Sequence, residues 1–149
     1  MPKTRTPVTL RQHALALLAR REHTRAELAR KLQAAGHDAA DVVPLLDEFE
    51  SKNWLSDRRF AESWVADHRA KSGSVKLAYE LRQHGVPEDV IEAVLSENRD
   101  SELDRAREVW RKKFGLPPAD AAERARQTRF LLGRGFSLDM VQKTLKGTD

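Results

Sequence analysis

With 149 residues, the chain is long enough for one medium domain or a few small repeated modules. Charged residues make up 34% and aromatic residues 6%, a balance that suits a soluble, helix-rich protein with a thin core. The absence of cysteine excludes a disulfide framework, a thiol nucleophile and cysteine-based metal centres, while a net charge of +4 raises nucleic acid or an anionic partner surface as candidates.

Residues 1–8 read as a flexible lead-in, with no apolar run long enough for a signal peptide or a membrane helix. Three units follow, expected over 9–55, 56–98 and 99–149. The first opens with LRQHALALLARR, which places Leu10, Ala14, Leu17 and Leu18 on one helical face. Thr24, with Glu27 three residues on, is a capping box for a second helix that runs to Gly36. Asp38 then caps a third helix carrying Val42 and Leu46. Pro44 falls inside it and predicts a bend or a later start, because proline lacks the N–H that the helix needs.

The second unit repeats the order. DRRFAESWVADHRA carries Phe60, Trp64 and Val65; a KSGS loop leads into KLAYELRQHG; Pro87 at N1 starts a third helix with Ile91 and Leu95. In the third unit, ELDRAREVWRKKFG carries Leu103, Ala106, Val109, Trp110 and Phe114. The loop GLPPADAA precedes RQTRFLLGRG, and Ser137 caps a last helix with Val141 and Leu145.

Leu32, Leu81 and Leu131 each sit four residues before a glycine, and Gly36, Gly85 and Gly135 recur with a period of about 50. Each glycine reads as a helix stop in the left-handed region, where a Schellman turn brings the C″ side chain onto C3. Val86/Leu81 and Phe136/Leu131 are apolar pairs of this kind, whereas His37/Leu32 departs from the pattern. The fold expected is all-α: three tandem three-helix repeats, helix-turn-helix-like, stacked into an elongated, curved body with no closed pocket.

Bases gather in the first and second helices, acids in the third helices of the first two units. Arg20, Arg21, Arg25, Arg30 and Lys31 precede Asp38, Asp41, Asp47, Glu48 and Glu50; Arg69, Lys71, Lys76 and Arg82 precede Glu88, Asp89, Glu92 and Glu97. The third unit carries Arg111, Lys112, Lys113, Arg124, Arg126, Arg129 and Arg134 before its glycine. Helix-dipole pairing accounts for Asp38, Asp89, Arg30, Arg82 and Arg134. It accounts less well for Arg20–Arg21, Arg58–Arg59 and residues 111–113. Together the bases of the first and second helices (Arg20, Arg21, Arg25, Arg30, Lys31, Arg58, Arg59, Lys76, Arg82, Arg111, Lys112, Lys113, Arg124, Arg126, Arg129 and Arg134) are expected to form a discontinuous positive stripe, a candidate contact surface, with the acidic third helices as a negative side.

Signatures of catalysis are missing. His13, His23, His37, His68 and His84 stand in no paired-ligand spacing, and there is no phosphate loop, dinucleotide fingerprint or nucleophile elbow. No metal, cofactor or catalytic residue is expected. Trp54, Trp64 and Trp110 read as core at helical positions rather than as base-stacking platforms.

RREHTRAELARKLQAAG, WLSDRRFAESWVADHRAKSG, ELRQHGV, RKKFG and RQTRFLLGRGF, in this order from about Leu10 to Leu145, resemble the bacterial RecX regulatory proteins. The resemblance implies a cytoplasmic, non-enzymatic modulator of RecA. Such a protein is expected to lie in the groove of the RecA–DNA filament and, mostly as an inhibitor, to hinder strand exchange, ATP hydrolysis and coprotease activity or to promote filament disassembly, in recombination and the SOS response. It also implies contacts from Arg20, Arg21, Arg25, Arg30, Arg58, Arg59, Lys112, Lys113, Arg126, Arg129 and Arg134. Asp57 and Phe60 match the family pattern too; on their own positions Phe60 reads as core and Asp57 as a cap. Residues 71–82 depart from the more basic, glycine-rich segment of many members. The expected partners are RecA and, weakly and with strong salt dependence, single- and double-stranded DNA, for a chain expected to be monomeric. The alternatives are a stand-alone helix-turn-helix-like DNA-binding protein and a helical scaffold with no DNA role.

Overall fold

The computed structural model describes residues 8–147. The lead-in expected over 1–8 therefore lies, but for Val8, outside the described residues. The described residues form nine α-helices: α1 (Leu10–Arg20), α2 (Arg25–Ala34), α3 (Ala39–Ser51), α4 (Asp57–His68), α5 (Ser74–Gln83), α6 (Glu88–Ser96), α7 (Arg99–Lys113), α8 (Ala121–Gly133) and α9 (Leu138–Lys146). They fall into three triplets, each with its own core. Ala14, Leu28, Leu32, Val42, Leu46, Phe49 and Leu55 fill the first. Phe60, Ala61, Val65, Leu77, Leu81, Ile91 and Val94 belong to the second, and Ala106, Val109, Leu131, Phe136, Val141 and Leu145 to the third. None of these helices exceeds 15 residues, so each depends on its apolar stripe being covered by the other two of its triplet.

The turn between second and third helix is the same in all three units. His37, Val86 and Phe136 donate N–H to the carbonyls of Leu32, Leu81 and Leu131, while Gly36, Gly85 and Gly135 donate to Gln33, Arg82 and Leu132. This is the Schellman pattern, with the glycines at φ of 100, 83 and 90°. Val86 and Phe136 are buried beneath the turn; His37 instead rests its ring 5.6 Å from His13.

Thr24 and Glu27 form the capping box, and Ser137 accepts from the Met140 N–H. Three local expectations need correction. Pro87 is the N-cap of α6, not its first helical residue. Asp38 is the N-cap of α3 but makes no side-chain cap bond. Pro44 does not delay α3, which starts at Ala39 and runs through it. Pro44 and Ala40 both face solvent, so the carbonyl that loses its helical N–H partner is in reach of water. Trp54 is not a helical core residue either: it follows α3, is 44% exposed and lies under Lys52 Nζ at 4.8 Å from the ring.

Unit 1 joins unit 2, and unit 2 joins unit 3, through two joints of one design. At the first, the N-terminus of α2 meets the α5–α6 turn. Thr24 Oγ1 donates to the His84 carbonyl at 2.6 Å, and Asp57 of α4 accepts the Arg25 N–H at 2.8 Å. At the second, the N-terminus of α5 meets the α8–α9 turn. Gly73 and Val75 N–H donate to the Arg134 and Gly135 carbonyls, each at 2.9 Å. Glu102 of α7 accepts from Ser74 N–H at 2.9 Å and from its hydroxyl at 2.7 Å. A carboxylate in the first turn of each following unit thus caps the second helix of the unit before it, where the helix dipole favours negative charge. Asp57, expected as a cap, caps α2 rather than its own helix, for which Ser56 serves.

Candidate functional site

The bases of the expected stripe divide into those held by carboxylates and those left open. In unit 1, Arg25 is clamped between Asp47 at 2.8 Å and Glu50, both on α3. These hydrogen bonds, against some burial, raise its proton affinity further. Arg21 pairs with the buried Glu27 at 3.1 Å. Lys31 donates to His23 Nε2 at 2.9 Å. Arg20 and Arg30 are exposed and make no side-chain hydrogen bond or ion pair within the described residues.

In unit 2, Arg58 pairs with Glu62 and Glu97, and Arg82 with Glu88. Arg59 makes a two-pronged bond to Glu22, 2.6 and 3.2 Å, that crosses the first joint. Lys76 lies on the Gly135 turn with its ammonium unpaired among the described residues. Asp47 and Glu50 of α3, Glu88 of α6 and the adjoining Glu97 therefore reach back to bases of α2, α5 and α4. Exposed pairs of this sort add little to stability, because water and salt screen them, but they do neutralise the bases they hold.

Unit 3 differs. Arg111 takes Glu108 at 2.6 Å and Arg126 takes Glu123 at 2.8 Å, leaving Arg124 and Arg129 exposed and unpaired among the described residues. Lys112 is 3.8 Å from the already engaged Glu108. Lys113 and Arg134 lie over the Phe130 ring at 5.4 and 5.3 Å, and Arg126 lies over Phe114 at 5.2 Å. Phe114 and Phe130 meet edge-on at 5.4 Å. Arg134 also donates to the Lys71 carbonyl at 3.1 Å, which brings a unit 2 lysine to the same place. Lys71, Lys112, Lys113 and Arg134 thus line one cleft between units 2 and 3. The stripe does not come together as a whole; this part of it does.

Buried polar groups concentrate at the first joint. His23, 1% exposed, donates through Nδ1 to the Arg21 carbonyl at 3.0 Å, leaving Nε2 to accept from Lys31. Burial, together with the Arg21 and Lys31 charges, lowers its pKa below the ordinary 6.5, against the opposing Arg21 carbonyl and Glu27. Burial alone would raise the Glu27 carboxyl, but Arg21, the Thr24 N–H and His84 together hold it below its usual range. Asp57 goes the other way: burial raises it, only partly offset by the Arg25 N–H.

Sequence reasoning reached neither His23 nor Glu102. Their roles depend on partners in other elements or across a joint, and only Thr24–Glu27 gave a local sign. Among the described residues, no group of three or more His, Cys, Asp or Glu stands close enough to hold a metal, and no helix is long and apolar enough to cross a membrane.

Three small helical units in series, each stopped by the same glycine turn and joined by borrowed caps, define an all-α protein of tandem three-helix domains. Models of the first, second and third three-helix domains of RecX match residues 11–49, 56–95 and 100–145. The chain belongs to the RecX family. It is 44% identical over its full length to regulatory protein RecX of Ralstonia pickettii, covering 94% of that protein. It is 48% identical over 139 residues to that of Chromobacterium violaceum, spanning 93% of this chain and 90% of the relative. The crystal structure of RecX from Lactobacillus salivarius superposes with a TM-score of 0.84 at 18% identity, covering 94% of both chains, a likeness of fold.

Proposed function

We propose that this chain is a cytoplasmic, non-enzymatic regulator that docks on the RecA–DNA filament and mainly inhibits RecA's recombinase, ATPase and coprotease activities. The observation that carries the reading is its relatedness, end to end and through all three domains, to proteins named regulatory protein RecX. The stand-alone DNA reader is less well supported. A helix-turn-helix protein inserts the N-terminal residues of a recognition helix into the major groove. Here the N-termini of α2 and α5 are occupied by the joints. The open cations in turn suit contact with a backbone more than readout of base edges.

Co-sedimentation tests the reading. The chain should pellet with RecA filaments assembled on single-stranded DNA at physiological salt, and far less with the same DNA free of RecA. Equal pelleting with both would favour the stand-alone DNA binder; failure to pellet with filaments would refute the proposal.

A further inference from the structure

We propose that the cleft between the α4–α5 loop, α7 and α8 is a seat for nucleic-acid backbone phosphates, gripped by Lys71, Lys112, Lys113 and Arg134. The cleft is open and about 280 Å³ in volume. Its cations come from both units, and the bond from Arg134 to the Lys71 carbonyl fixes the two sides together. The half-buried Phe130 ring, flanked by Lys113 and Arg134, supplies an apolar wall that limits hydration of the charges around it. Glu108 is the one carboxylate among the lining residues, and both of its oxygens are engaged by Arg111, at 2.6 and 3.0 Å. The lining therefore keeps a net positive charge that no internal partner removes.

A tetrahedral anion suits this arrangement better than a planar carboxylate. The cations approach from three elements and at least two sides, rather than as one planar fork. A second hollow shares Glu108 and Lys112 with the first and adds Arg69 and Arg105, with Asp104 as a further carboxylate. In unit 1, by contrast, Arg21 and Arg25 are committed to carboxylates. The inference takes its biological setting from the filament reading, but bare DNA tests it separately.

The measurement is the affinity of the full chain for a labelled single-stranded oligonucleotide across a salt series. Neutralising two cations that contact a single strand should reduce the slope of log K against log salt by about 1.4. Lys71→Gln/Lys113→Gln is expected to show this loss, with helicity retained because both lysines are exposed. Arg11→Gln/Lys52→Gln, which removes two unit 1 cations already paired with Glu48, should leave the slope unchanged. As a check independent of mutation, the oligonucleotide should protect Lys71, Lys112 and Lys113 of the unmodified chain from reductive methylation. An unchanged slope in the cleft variant, the loss appearing in the unit 1 variant instead, absence of protection, or no binding at low salt would each overturn the proposal. A chain that binds DNA through the cleft but leaves RecA untouched would remove the filament reading and keep this one. Loss of RecA inhibition in the cleft variant with an unchanged DNA slope would do the reverse, and assign the cleft to protein carboxylates.

Discussion

At the scale of single residues, His23 and the turn glycines show how burial and close approach set the chemistry. His23 must stay neutral to accept from Lys31 at Nε2, and a proton there would face an ammonium. Its folded-state pKa is lowered, so the unfolded chain takes up the proton more readily. The stability it contributes is full above 6.5 and is lost as pH falls below that value toward the folded one. Melting temperatures followed from about pH 7 down to about pH 5 should fall, and His23→Gln should flatten part of that slope. A slope identical in the two proteins would contradict the assignment.

The glycines separate two costs. A Cβ at Gly36 would meet nothing within 4 Å, so Gly36→Ala should cost only the left-handed backbone penalty, about 1–2 kcal/mol. A Cβ at Gly85 would lie 2.5 Å from the Ala26 Cβ, and one at Gly135 would overlap Lys76. Gly85→Ala and Gly135→Ala should therefore cost more in urea denaturation and loosen the joints as well. Equal losses at all three positions would mean that the close approaches carry no energy.

At the scale of elements, the borrowed caps tie one unit's helix to the next unit's first turn. Asp57→Ala should destabilise by about 1 kcal/mol, the usual value of a lost N-cap acceptor, while Asp57→Asn keeps an acceptor oxygen and should cost less. Equilibrium unfolding of the two variants checks the order. Pro44 is exposed within α3, where an interior proline costs up to about 3 kcal/mol relative to alanine. Pro44→Ala should raise the stability of unit 1; an unchanged or lower unfolding midpoint would show that Pro44 serves a purpose that helix geometry does not reveal.

These elements also mark how far a sequence can be read. The helix stops and the paired apolar positions were legible because each is a local requirement repeated three times, and the Thr24–Glu27 box because its two partners stand only three residues apart. The joints were not: Gly85 and Ala26, or Ser74 and Glu102, meet only after the units have formed. A glycine that must be left-handed and one that must also admit a neighbour look alike in sequence. Trp54 misled for a related reason, since an aromatic beside a helical run carries no local sign of whether its ring faces inward.

At the scale of the molecule, three separate cores and two repeated joints give a modular chain, and the ion pairs decide which of its charges remain available. The basic runs were visible in the sequence, but their neutralisation was not. Arg58 and Arg59 form one run, yet Arg58 is held within unit 2 and Arg59 is committed to Glu22 of unit 1. What stays open is concentrated around α7 and α8, with Lys71 brought in across the second joint. A regulator built this way would hold its units through the joints and present charge where two of them meet.

The most direct test of the filament reading is RecA's single-strand-dependent ATPase, measured as this protein is titrated in at two salt concentrations. The account predicts a fall in rate at protein levels well below that of RecA, at both salts. Loss that is stoichiometric and confined to low salt would mean simple competition for DNA, and an unchanged rate in excess protein would contradict the account outright.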